Sequence, residues 1–171
     1  VMVMGAHYVL TASIHENVVS NWNWIEALIA SVPIAILVML IVWINQFQDA
    51  PSDAAVGKNT WVVRTAEKGE WMKLEKPLRL YKQFMIEAFV AVALVGALSF
   101  FTDFGTVYAF MALIPLAIVW KAFKMADEWM IKWNNPNADR QKVPYELLLV
   151  NVSTIGIHFL TGILLAVAYI L

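Results

Sequence analysis

The 171-residue chain contains no cysteine. That excludes disulfides, iron–sulfur clusters, zinc–thiolate sites and thiol nucleophiles, and leaves any metal to His, carboxylate or Met. Charge is scarce as well: Asp, Glu, Lys and Arg make up 15% of the residues, against roughly 25% in an ordinary soluble domain. No excess of basic residues compensates, since the net charge is −1, so nothing marks a phosphate-gripping surface and no nucleic-acid partner is expected. Histidine is limited to three residues. Nucleotide-binding glycine loops, nucleophile elbows and His-Glu-x-x-His helices are all missing, and with them the strong sequence signatures of an enzyme. Internal repeats, heptads and low-complexity tracts are missing too, which weakens a transporter built from duplicated halves.

What fills the chain instead is apolar residues, 61% of the total, with a mean hydropathy of +0.66. The clearest run is Leu147 to Leu171, 25 residues without one formal charge. As a helix it reaches about 37 Å, enough for the roughly 30 Å of a bilayer core. Three more spans follow from similar runs. The fold expected is all-α, a polytopic four-helix transmembrane bundle with lipid as its solvent.

In chain order, 1–23 reads as an arm outside the membrane, and 24–47 as the first span. Trp22, Trp24 and Trp43 look like headgroup-level anchors there, and Pro33 predicts a kink. A polar loop follows at 48–82. Within it, residues 60–65 and 70–74 flank a glycine turn and predict a small β-hairpin. The second span is placed at 83–101, but its charge-free part, Ala88 to Thr102, is only 15 residues or about 22 Å. It must therefore carry Glu87 into the membrane. Residues 102–105 form a tight turn, which makes the second and third spans antiparallel neighbours. The third span covers 106–133, with Pro115 as a second kink and an interfacial extension from Lys121 onward. The fourth covers 145–171.

All 12 Lys and Arg fall between the first and second spans or, with the interfacial extension from Lys121 counted outside the membrane, between the third and fourth. By the positive-inside rule the long loops are then cytoplasmic and both termini extracytoplasmic. The chain begins at Val1 rather than Met, which fits either a processed or an incomplete N-terminus.

Candidate chemistry is sparse. On the fourth span Asn151, Thr154, His158, Thr161 and Gly162 fall within roughly 100° on one helical face. His158 lies near mid-membrane, where a polar group needs a partner. Thr154 and Gly162 beside it leave room for a flat ring, a haem b or a quinone, but small residues equally admit a neighbouring helix. A bis-histidine haem would need its second ligand from another subunit. Glu87 and Asn151, each about a turn inside the same boundary, predict a hydrogen bond if the second and fourth spans pack together. His7, His15 and Glu16 are weak candidate metal ligands in the arm, and a Met-based copper site is not indicated.

The leading expectation is a small integral-membrane subunit of a larger multi-subunit complex, of the respiratory or monooxygenase oxidoreductase kind, in a structural or cofactor-supporting role. A haem b- or quinone-binding membrane anchor using His158 is the second expectation. A small channel or carrier using Glu87, Asn151 and His158 is the third. The polar stripe, Glu87 included, reads first as a packing face toward another helix or subunit.

Overall fold

A computed structural model describes residues 24–66, 73–139 and 142–171. The elements are α1 (Trp24–Ala55), the short α2 (Trp61–Thr65), α3 (Glu75–Leu98), a 3-10 helix (Val107–Leu113) leading into α4 (Leu116–Trp133), and a 3-10 turn (Val143–Leu147) leading into α5 (Leu148–Ala168). Four helical segments are long and apolar enough to cross a membrane: Ile25–Ala55, Glu75–Leu98, Val107–Trp133 and Val143–Ala168. This is the expected multi-pass helical bundle.

α1 runs eight residues past its expected end, straight through Pro51. Its polar last turns stay helical because one side remains buried, with Phe47, Ala50 and Asp53 all covered. Gly57 then ends it, at φ 71°, where a side chain would be strained. Its N–H donates to the Ala54 carbonyl and that of Lys58 to the Asp53 carbonyl, at 3.1 and 2.8 Å, the paired bonds of a Schellman stop.

The first strand of the expected hairpin is not formed. Its place is taken by the helix α2, and no strand occurs among the described residues. A strand would place Val62, Arg64 and Ala66 on one side and bury the arginine, whereas a helix puts only Val62 and Ala66 inward, four residues apart. Both are buried, and Gln46 on α1 accepts the Val62 N–H at 3.2 Å. Residues 67–72, which hold the expected turn, lie outside the described residues.

α3 starts at Glu75 rather than 83, with Pro77 in its first turn as an N-terminal proline prefers. It ends at Leu98, and the turn to the next span requires Gly105. There φ is +80°, and a Cβ would stand 2.2 Å from the Val95 carbonyl oxygen. The third span changes character at Pro115, which has no N–H to continue a ladder. Before it the chain is a 3-10 helix and after it an α-helix.

The four spans form a square. α1 packs on α3 and α5, and the third span packs on the same two from the other side. The diagonals are bridged by side chains: Phe47 meets Trp129 edge-on at 5.9 Å, and Tyr81 reaches Thr154. The core is uneven along the bundle. Trp43, Phe47, Tyr81, Trp129 and Trp133 belong to one large cluster toward the end carrying the basic residues, here called the charged end. The opposite half holds a small cluster of Val92, Ala112 and Leu165. Trp43 is therefore a core residue, 3% exposed, and not the headgroup anchor expected. Its indole N–H donates to the Pro77 carbonyl at 3.3 Å.

Candidate functional site

The polar stripe of α5 is turned into the bundle. Asn151, Thr154 and Thr161 are buried and His158 is half-buried. Asn151 donates through Nδ2 to Asn45 Oδ1 of α1 at 2.7 Å. The Thr154 hydroxyl donates to the Val150 carbonyl at 2.8 Å. Having one proton, it accepts the Tyr81 hydroxyl at 2.6 Å. Gly162 looks toward α1, where a Cβ would make only an ordinary 3.9 Å contact with Ile34 Cδ1.

The stripe is only partly matched. Among the described residues six buried side-chain polar atoms lack a hydrogen-bond partner, and four are on this face: Asn151 Oδ1, His158 Nδ1, Thr161 Oγ1 and Tyr169 OH. Tyr169, eleven residues after His158, falls within about 20° of it at 100° per residue. That extends the stripe by one residue, at the C-terminal cap of α5. The periodicity was available, but an aromatic near a span end reads as an interface anchor.

Glu87 and Asn151 are not brought together. Glu87 is exposed and accepts from Gln83 Nε2 one turn earlier, at 2.8 Å. Their depths differ as well. α3 and α5 run in the same direction, and Tyr81 meets Thr154. Glu87, six residues beyond Tyr81, is about 9 Å deeper than that contact, while His158 is about 6 Å deeper. So Glu87 matches His158 in depth rather than Asn151, on a different face.

That register exposes a step in the bundle. α1 is free of charge from Ala27 to Gln48, 22 residues, and the fourth span from Leu147 to Leu171, 25 residues. At α-helical rise these runs would reach about 33 and 37 Å. On α3 the charge-free run is 15 residues, about 22 Å. Val92, Ala112 and Leu165 share one cluster at the opposite end, which keeps the flanks within about a turn of each other there. The shortfall therefore falls at the charged end. Lys82 pairs with Asp127 of α4, so Lys121, six residues deeper than Asp127, comes to the level of Glu87. Gln83, Glu87, Lys121 and Lys124 are all exposed. At the same depth α1 and α5 expose Val38, Val42, Phe159 and Leu160.

Two further polar features lie nearer the charged end. Asp53, the only buried carboxylate among the described residues, pairs with Lys58 at 3.0 Å through Oδ1, while its Oδ2 has no partner. Asn45, Asp49 and Asp53 recur at four-residue steps on α1, a spacing that the expected end of the first span at residue 47 divides between span and loop. Among the described residues no three His, Cys, Asp or Glu side chains gather as a metal site. His7, His15 and Glu16 lie outside the described residues.

No protein-family model matches the chain, and no curated protein or solved structure matches it.

Proposed function

We propose that this chain is an integral-membrane unit of a larger multi-subunit membrane complex, with a structural or cofactor-supporting role, in an assembly of the membrane oxidoreductase kind. The observation that carries the partnership is the step in charge-free length. Tilting a bundle shifts both ends of a flank together, so tilt cannot remove a difference of about 11 to 15 Å between flanks. A lysine or carboxylate facing lipid deep in the bilayer is unfavourable by about 2.5–3.5 kcal/mol on insertion scales. Glu87, Lys121 and Lys124 escape that cost if the α3–α4 flank faces another protein or a water-filled space enclosed with it. With the charged end cytoplasmic, the basic residues obey the positive-inside rule.

The test uses the chain's lack of cysteine. Lys121→Cys introduces a single thiol, and the assembly extracted gently from its native membrane should have a mass well above 19.3 kDa. The thiol should react with a charged, membrane-impermeant reagent in the isolated chain and be protected in the assembly. A monodisperse single chain in native membranes, with Lys121→Cys unreactive and lipid-facing, would sink the reading.

The unpartnered His158 Nδ1 and Thr161 Oγ1 favour a second reading, a hydrogen-bonding ligand such as a quinone, or a haem b whose other axial ligand comes from a partner. Visible absorption spectra of the intact assembly and of His158→Ala decide it. An unchanged haem band in the variant removes ligation, and unchanged quinone content removes the other form.

A further inference from the structure

On the α4–α5 flank a pocket of about 130 Å³ opens between Glu128, Trp129, Lys132, Glu146, Leu149 and Val150. We propose that it seats the headgroup of a phospholipid carrying a primary amine, an ethanolamine headgroup, with its acyl chain running down α5. Depth, charge and an apolar track support this independently.

Glu146 is the last charged residue before the 25 uncharged ones of the fourth span, so the pocket sits where that flank meets the polar boundary. Lys132 donates to Glu146 Oε2 at 2.6 Å across the rim. Glu128, which makes no hydrogen bond or ion pair among the described residues, also faces the Lys132 charge. Two carboxylates against one ammonium leave a net negative charge. That repels purely anionic headgroups and suits a zwitterion, its ammonium toward Glu128 and its phosphate toward Lys132. A primary ammonium has N–H donors for a carboxylate, whereas a quaternary one has none.

The floor is fixed. The Trp129 indole N–H donates to the Val143 carbonyl at 2.7 Å, and its ring stacks on Trp133 at 5.4 Å. Directly below, Leu149, Val152, Leu160, Ile163 and Val167 are exposed on one strip of α5. It runs for about 27 Å, the reach of an acyl chain along a helix face.

The experiment is thermal unfolding and lipid retention of the full chain in detergent, titrated separately with phosphatidylethanolamine, phosphatidylcholine and phosphatidylglycerol of identical acyl chains. Ethanolamine lipid should bind about tenfold more tightly than choline lipid, the scale of one charge-assisted hydrogen bond. Glu128→Gln, at an exposed position, should abolish that preference, while Asp103→Asn at the opposite end should leave it intact. Equal binding of all three lipids, stronger binding of phosphatidylglycerol, or an undiminished preference in Glu128→Gln overturns the proposal.

Discussion

Tyr81 and Thr154 are joined by a 2.6 Å hydrogen bond across the diagonal of the bundle, linking two helices that do not otherwise pack side by side. The pair is asymmetric. Thr154 keeps a backbone acceptor in Val150 whatever happens to Tyr81, but among the described residues the buried Tyr81 hydroxyl has only Thr154. Tyr81→Phe should cost about 1 kcal/mol and Thr154→Val about 1–3 kcal/mol, because only the second leaves a buried donor unpaired. Thermal unfolding of both singles and the double variant measures the difference. The double should be close to the Tyr81→Phe value, and strict additivity would contradict the geometry.

The three glycines that matter for backbone shape should respond to alanine in a definite order. Gly156 is helical with open space around it, so Gly156→Ala should stabilise by about 0.5–1 kcal/mol. Gly57 has room but a φ of +71°, and its alanine variant should be destabilised by about 1 kcal/mol. Gly105→Ala should be the worst of the three, since it combines φ +80° with a Cβ 2.2 Å from a carbonyl oxygen. Melting temperatures in one detergent rank them.

Thr161→Val reports whether the unmatched stripe is a ligand site or a packing cost. Among the described residues the buried threonine oxygen has no partner, so in the isolated chain the isosteric valine should stabilise by about 1–2 kcal/mol. In the intact assembly a bound ligand using this hydroxyl would reverse the sign. Comparing unfolding of the two preparations checks both arms.

Truncation of the core should be felt unequally at the two ends. Trp133 is fully buried in the large cluster, and Trp133→Ala should cost about 3–5 kcal/mol. Leu165→Ala, in the three-residue cluster, should be near the low end of the 2–5 kcal/mol range for such changes. Denaturant titration gives both values, and equal losses would mean that the opposite half is better packed than its side chains indicate.

Much of this architecture can be read from the chain. Charge-free runs locate all four spans, and the glycine of the 102–105 turn is required where it stands. The helix ends were less legible, because α1 and α3 continue into polar sequence on the strength of buried faces that only the neighbouring helices create. The segment 60–65 alternates well enough for a strand, and what decides it is Gln46 on α1 together with the need to keep Arg64 outside. Trp43 was indistinguishable from an anchor until Pro77 supplied a carbonyl for its indole. Glu87 was matched to Asn151 by distance from a shared boundary, an assumption that fails because the boundary is stepped. Residues on the stripe were identifiable by periodicity, but Asn45 and Tyr81, which answer two of them, lie 106 and 73 positions away in sequence.

The uneven core also sets where the molecule comes apart. The aromatic cluster clamps all four spans at the charged end, while the far half is held by small residues and by a 3-10 segment whose hydrogen bonds are weaker than those of an α-helix. The bundle should behave like a clothes peg, sprung at one end and parting at the other. Amides near Leu165 should exchange through local opening while those around Trp133 wait for global unfolding, so one continuous bundle carries two very different clocks.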